Sequence, residues 1–310
     1  MRIMFMGTPE ISAICLKALL ESNNEVVAVI TGKDKPRGRG NVMTPTATKA
    51  VAEECGIPVY TPDTLRDEAF AELLGDVDPD LIAVVAYGKI LPKNVLDYPK
   101  YGCINLHVSL LPKYRGAAPM QRAVMNGDKE TGVTVMYMAE GLDTGDIISQ
   151  VAFPIGDEDD FEAIYDRSAA VGGELLVKTI AQMECGAAKR TPQNDAEASY
   201  AAKIEKSDCK IDFSLDARVI DPIIRGVTPI PGAFAYLGGK MLKIYKALPT
   251  EGKGKAGEVI AVEPKGQGSF TVACGVGALK VIGVIPEGKG RMSAGDFVRG
   301  RKIQIGDLLE

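Results

Sequence analysis

The hydrophobic pattern of this chain changes character once, near residue 186. Before that point short apolar runs alternate with segments of helical periodicity. Residues 2–6 predict a strand, and Thr8-Pro9-Glu10 predicts a helix start with Thr8 as N-cap and Pro9 in the first helical position. Residues 25–31 predict a second strand, 46–55 a helix stopped by Gly56, 57–60 a short strand and 66–74 a helix. Residues 81–86 form an unbroken apolar run, the pattern of a strand covered on both faces. A strand at 103–108, a helix at 119–125 and a strand pair at 133–138 and 147–153 follow, then a long helix over 159–185. Such alternation predicts an α/β fold, a mostly parallel sheet with helices on both faces.

From 186 to 207 the chain is polar and poorly periodic, with Pro192-Gln193-Asn194-Asp195 inside the stretch. That pattern predicts a linker at 189–206 between a domain of residues 1–188 and a second of 207–310. Beyond it come short segments at 242–247, 257–262, 270–274 and 279–284, broken by glycine and proline. They predict a small barrel-like β domain.

Composition narrows the class. The 310 residues are 46% hydrophobic and 25% charged, ordinary for a globular protein. No apolar run approaches the ~18 residues that span a bilayer, and the first seven residues are too short for a secretory h-region. Cytoplasm is the expected compartment. Six cysteines are scattered without Cys-x-x-Cys spacing, and the chain has one histidine. A His/Cys metal site is therefore not expected, and the thiols read as small buried hydrophobes kept reduced. The net charge of −5 is unevenly spread. Residues 203–310 carry 17 basic and 12 acidic side chains, whereas the preceding 202 residues have a surplus of ten acids. A basic C-terminal third fits either a polyanionic partner or a mixed solvated surface.

The candidate chemistry centres on that single histidine, His107, two residues after Asn105 in an alternating strand pattern. Residues i and i+2 of a strand share a face, so an amide and an imidazole stand side by side. An imidazole shuttles protons near neutrality, and a carboxamide donates to a developing oxyanion without changing charge. Group transfer at a carbonyl follows as the first function to test; a core histidine satisfied by a backbone carbonyl is the alternative. Asp143, in Gly141-Leu142-Asp143-Thr144-Gly145-Asp146, is either a self-capping turn residue or a carboxylate that orients the imidazole. The segment 32–49 reads as a long loop without regular structure, carrying Lys33, Lys35, Arg37, Arg39 and Lys49 against Asp34. Its basic balance suits docking against phosphates; a flexible solvated loop is the plain alternative. Gly7-Thr8-Pro9-Glu10 is not a dinucleotide fingerprint, and no Walker sequence occurs.

Assembled, these motifs resemble a known family. Asn105, His107, Ser109-Leu110-Leu111-Pro112, Tyr114-Arg115-Gly116 and Gly-Leu-Asp143-Thr-Gly-Asp are similar to the methionyl-tRNA formyltransferases, within the wider group of 10-formyltetrahydrofolate-dependent formyltransferases. The likeness runs nearly end to end, through Gly7-Thr8-Pro9, Gly38-Arg39-Gly40, the segment from Val85 to Pro92, and the C-terminal extension. It implies a Rossmann-like formyltransferase domain followed by an OB-like β-barrel domain. It implies that Asn105, His107 and Asp143 are the catalytic trio. Ser109, Leu110, Leu111 and Pro112 would contact the folate, with Tyr87, Gly88, Ile90 and Leu91 lining its pterin pocket. Lys35, Arg37 and Arg39 would meet the tRNA. The implied partners are 10-formyltetrahydrofolate as formyl donor and initiator methionyl-tRNA as acceptor, with no metal and no membrane, on a monomer. Formyl transfer to an amino-sugar nucleotide, hydrolysis of the formyl-folate, and a noncatalytic folate- or RNA-binding module are the alternatives. The chain departs from the usual pattern at Val108, where a small residue or proline is common. It also has isoleucine between Pro229 and Pro231, where tryptophan is usual.

Overall fold

A computed structural model describes residues 1–37 and 40–310. The chain gathers into two compact units, one of Met1–Pro119, Glu130–Phe153 and Tyr165–Ala201, the other of Met120–Lys129, Pro154–Ile164 and Ala202–Glu310. The elements begin with β1 (Arg2–Gly7), α1 (Glu10–Leu20), β2 (Glu25–Ile30), β3 (Lys35–Arg37), β4 (Val42–Thr44), α2 (Ala47–Glu54) and β5 (Val59–Tyr60). They continue as α3 (Glu68–Val77), β6 (Leu81–Val85), α4 (Lys93–Leu96), β7 (Cys103–His107) and β8 (Arg115–Gly116). Then come α5 (Pro119–Met125), β9 (Glu130–Tyr137), β10 (Ile147–Pro154), α6 (Phe161–Glu184) and β11 (Tyr200–Ala201).

Seven strands of the first unit form one sheet in the order β10-β9-β7-β6-β1-β2-β5. The pairs β1–β2, β1–β6, β2–β5 and β6–β7 are parallel, and β9 runs antiparallel to β7. Residues 3–6 of β1 and 81–83 of β6 are wholly buried, because crossovers between parallel strands lay helices on both faces. On one face Met4, Met6, Ile82 and Val84 pack with Phe70 and Leu74 of α3 and Val95 of α4. Strand order reverses between β1 and β6, growing through β2 and β5 on one side and through β7 on the other. Crevices for ligands open at the strand C-termini beside such a reversal.

Three local expectations are corrected. Helix α1 begins at Glu10 with Pro9 as N-cap and no side-chain cap; the carbonyl of Pro9 receives the amides of Ser12 and Ala13. The hydroxyl of Thr8, expected to cap, instead accepts from the Gly32 amide at 3.3 Å. The segment 32–49 contains a hairpin, with β3 pairing β4 from Lys35↔Thr44 to Arg37↔Val42. Pro36 is tolerated there because a two-stranded ribbon has open edges. Finally, Cys15, Cys103, Cys209 and Cys274 are buried as expected, but Cys55 and Cys185 are exposed at the ends of their helices.

The second unit holds α7 (Ala217–Gly226), β12 (Ala233–Leu237), β13 (Lys240–Thr250), β14 (Val259–Glu263), β15 (Ser269–Ala273), β16 (Ala278–Pro286), β17 (Met292–Ser293) and α8 (Ala294–Arg299). The strands are antiparallel in the order β12-β13-β16-β15-β14, with β17 on β16. The last five residues close the edges. Glu310 and Tyr236 of β12 exchange both backbone hydrogen bonds, at 2.8 and 2.9 Å. On the other edge Val259 of β14 donates to Asp307 and accepts from Gly306, and Leu309 donates to Gly257. An open edge is a row of unpaired amides and carbonyls, so this tail completes the barrel-like arrangement. Leu309 itself is 2% exposed, in the core with Val259, Ala235 and Ile303. Leu309→Ala is therefore expected to cost about 2–5 kcal/mol in denaturant unfolding. Removal of residues 306–310 is expected to lower the midpoint further, by exposing both edges; an unchanged midpoint would contradict the closing role.

Candidate active site

Strand β7 ends at the proposed chemistry. Asn105 pairs with Val84 of β6 and Met136 of β9, and His107 sits opposite Thr134 of β9. Their shared face follows from the two-residue strand repeat. The Asn105 side chain is half-buried, and among the described residues its carboxamide has no hydrogen-bond partner. The His107 side chain is 6% exposed and both ring nitrogens face acceptors. Nε2 lies 2.9 Å from the Tyr114 carbonyl and Nδ1 lies 3.6 Å from Asp143 Oδ2. A carbonyl only accepts, so Nε2 carries a proton; a second proton on Nδ1 would face the carboxylate.

The structure thus brings Asp143 to His107 across 36 residues of sequence, and its anchor is specific. Asp143 Oδ2 accepts the backbone amide of Gly116 at 2.8 Å. Asp143 has φ of +51°, a conformation that Asp tolerates better than most residues. Two residues on, a Cβ at Gly145 would stand 1.7 Å from the Tyr137 carbonyl, so only glycine lets this turn lie against β9. Gly116, at φ of +116°, is held in the two-residue ladder of β8 with β11.

Gln193 and Arg115 complete the support, although nothing in the local sequence singles out Gln193 chemically. The Gln193 Nε2 donates to the carbonyls of Asp143 and Gly145 at 2.8 and 2.7 Å. Its Oε1 accepts from Arg115 Nε and Nη2 at 3.0 and 2.8 Å. Arg115 is 2% exposed, and its Nη2 also pairs with Asp195 at 2.8 Å. A polar residue in a polar stretch carries no periodic signal; its partner Arg115 stands in the Tyr114-Arg115-Gly116 motif, whose sequence does not tell that the arginine is buried.

The residues proposed to contact folate divide by environment. Ser109 and Leu111 are buried, Leu110 and Pro112 half-buried. Ser109 Oγ is spent on the Lys113 carbonyl at 2.7 Å. Thr134 Oγ1 donates to the Ser109 carbonyl and accepts from the Leu111 amide, while Gln150 Nε2 donates to the Leu111 carbonyl. Thr134 and Gln150 therefore hold the segment's shape. After β6, Tyr87 and Leu91 turn into the core, whereas Gly88 and Ile90 face solvent, Ile90 at 77% exposure. The Tyr87 hydroxyl is buried with no hydrogen-bond partner among the described residues, and burial pushes its ionisation up to about 12.

Among the basic residues of 32–49, Lys33 pairs with Asp63 and Lys49 with Asp34. Those hydrogen bonds hold the Asp63 carboxyl below its ordinary range and push the Lys49 ammonium up. Lys35 has no ion-pair partner among the described residues. The Arg37 side chain and Arg39 lie outside the described residues. In the second unit Lys253, Lys255, Lys265, Arg301 and Lys302 also have no acidic partner among the described residues. No group of three His, Cys, Asp or Glu side chains placed for a metal occurs among the described residues.

The formyl transferase family profile matches residues 1–180, and the profile of the formyl transferase C-terminal domain matches residues 203–302. The chain belongs to the formyl transferase family. It is 46% identical to the methionyl-tRNA formyltransferase of Citrifermentans bemidjiense over 309 residues, covering 100% of this chain and 96% of that one. It is also 46% identical to the methionyl-tRNA formyltransferase of Pelotomaculum thermopropionicum, covering 100% and 98%. Among solved structures, an N-formyltransferase from Helicobacter canadensis, in complex with folinic acid and dTDP-3-aminofucose, superposes with a TM-score of 0.66. That pair shares 21% identity over 90% of this chain and 98% of the other. HypX from Aquifex aeolicus, in complex with tetrahydrofolic acid, gives 0.67 at 21% identity, over 100% of this chain and 50% of that one. At such identity these two family likenesses speak for the fold alone.

The orphaned Tyr87 hydroxyl separates a packing role from a ligand role. Tyr87→Phe removes a buried polar group that lacks a partner, so thermal stability is expected to hold or rise. If the hydroxyl serves only the core, KM for a formyl-folate stays unchanged. A raised KM with unchanged melting would show that the hydroxyl meets the ligand.

Proposed function

We propose that this chain transfers the formyl group of 10-formyltetrahydrofolate to the α-amine of initiator methionyl-tRNA, giving N-formylmethionyl-tRNA for translation initiation. Relatives at 41–46% identity over essentially the whole chain carry that activity in their name. The observation that carries the reading at the level of atoms is the pairing of an unpartnered carboxamide, Asn105, with an imidazole flanked by a carboxylate. A free amide donor beside an imidazole N–H is what a formyl oxygen needs as it gains charge.

A free α-amine titrates near ~8, and an adjacent ester lowers that value, so a neutral fraction exists without a strong base. Its lone pair attacks the formyl carbon and the carbonyl oxygen takes the negative charge. The Asn105 carboxamide is free to donate to that oxygen at once. The Nε2–H of His107 sits on the Tyr114 carbonyl, and passes to the formyl oxygen as charge builds there. A charged acceptor outcompetes a neutral carbonyl for the same donor. Asp143, fixed by the Gly116 amide, stabilises the imidazolium and fixes its ring. His107 gives a proton to the departing N10 and recovers one from the attacking nitrogen, or a water on Asp143 relays that proton directly. Collapse of the intermediate then breaks the bond from carbon to N10.

Lys35, Arg37 and Arg39, together with the unpaired lysines and arginines of the second unit, supply the charge for tRNA. RNA helices are recognised chiefly through phosphates, 2′-hydroxyls and shape, which basic side chains on each unit suit. No helix among the described residues is long and apolar enough to cross a membrane. We place the reaction in the cytoplasm, on a monomer.

His107→Ala or Asn105→Ala is expected to lower turnover on charged initiator tRNA at least about 10²-fold while formyl-folate binding survives. A variant with near-wild-type turnover would remove that residue from the chemistry. Affinity for tRNA should fall steeply as salt rises from about 50 to 200 mM, because phosphate contacts release counterions. A flat salt response would overturn the electrostatic docking. An amino-sugar nucleotide supplied in place of the tRNA should receive no formyl group.

A further inference from the structure

We propose that Gln193 is a positioning residue for formyl transfer: clamped by Arg115, its carboxamide fixes the Asp143 turn and thereby the side chain of His107. The kinetic part of this inference rests on the function proposed above; the geometric part stands on contacts within the first unit.

A carboxylate orients an imidazole only if the carboxylate is itself held still. Asp143 sits at the head of an exposed turn, in a backbone conformation that few residues favour, and Leu142 beside it is exposed. At its far end the turn is tied by the Tyr137 amide to the Asp146 carbonyl and by Arg190 to the Asp146 carboxylate, whereas around Asp143 it has the tight approach of Gly145 to β9 and the Gly116 amide on Asp143 Oδ2. Gln193 adds two hydrogen bonds, to the carbonyls on either side of Thr144, so one planar amide spans the turn. Its orientation is forced. Arg115 presents two N–H donors to Gln193 Oε1, which leaves the NH2 end aimed at the two carbonyls.

The same arginine precedes Gly116, whose amide holds the Asp143 carboxylate, and follows Tyr114, whose carbonyl takes His107 Nε2. The strand carrying it is fixed by the polar stretch that bears Gln193. The Arg115 amide donates to the Ser199 carbonyl at 2.8 Å, the Tyr114 amide donates to Ser199 Oγ at 2.9 Å, and β8 pairs β11. Both acceptors that set the imidazole, the Tyr114 carbonyl and the Asp143 carboxylate, are thus referred to residues 193–201. Gln193 touches no reacting atom; it acts through Asp143.

The test uses Gln193→Glu, which keeps the shape and the acceptor for Arg115 but has no N–H for the carbonyls of Asp143 and Gly145. The full chain has a single histidine, so labelling histidine with ¹⁵N gives one imidazole, and its Nδ1 resonance reads the Asp143 contact without any turnover. In Gln193→Glu that resonance is expected to move toward its position in Asp143→Asn. Turnover is expected to fall about 10- to 100-fold, the scale of a misplacement on the order of 1 Å. KM for the formyl-folate should change less than about threefold, since binding in the ground state is not what is lost. Gln193→Leu, which also frees Arg115, should show the same resonance shift. Combining Gln193→Glu with Asp143→Asn should cost no more than Asp143→Asn alone.

An unmoved resonance in a folded Gln193→Glu protein overturns the clamp, and a moved resonance with wild-type turnover overturns its part in formyl transfer. Wild-type protein that forms no formylmethionyl-tRNA overturns the function instead; the resonance then decides the clamp by itself.

Discussion

The site depends on one hydrogen bond, from the Gly116 amide to Asp143 Oδ2. It joins the end of β8 to a turn 27 residues further on, and both partners have positive φ. Without it the carboxylate would swing with its exposed turn, and His107 would keep only the Tyr114 carbonyl. Hydrogen bonds that involve a charged group are worth more than neutral ones, especially when the acceptor is largely removed from water. Here the Asp143 side chain is 15% exposed, so the anchor works in a partly desolvated setting.

The sheet explains why that bond is possible. Parallel strands β6 and β7 end together, which sets the Tyr87–Leu91 segment and the Asn105–His107 pair at one edge of the reversal in strand order. Antiparallel β9 then carries Thr134 beside His107, where its hydroxyl shapes the segment from Ser109 to Pro112. Asn105 and His107 stand at the end of β7, and Asp143, which holds the imidazole, stands on a turn. Rigid strands supply direction, and backbone amides on the turns supply charge complementarity.

Much of this was legible in the sequence, for identifiable reasons. The parallel sheet was legible because fully buried strands such as Leu81–Val85 read as unbroken apolar runs. The amide and imidazole pair was legible because strand alternation is strict and the chain has one histidine. The hairpin at β3 and β4 was hidden by Pro36 and by glycines, which mark loops and turns alike. The capping of α1 was misplaced because Thr8, a good cap by type, is spent on Gly32. Gln193 was invisible since its importance comes from partners 48 to 78 residues away, and no local pattern reports them. The barrel closure by residues 306–310 was missed for the same reason, being a tertiary pairing without a strand-like run.

The most direct test of the account supplies purified protein with 10-formyltetrahydrofolate and charged initiator tRNA, and quantifies formylmethionyl-tRNA and tetrahydrofolate in the same reaction. The two products should appear in equal amounts, and both should vanish together when His107 is replaced. Tetrahydrofolate released without formylmethionyl-tRNA would mean that water takes the formyl group, and would contradict the transfer on which the account rests.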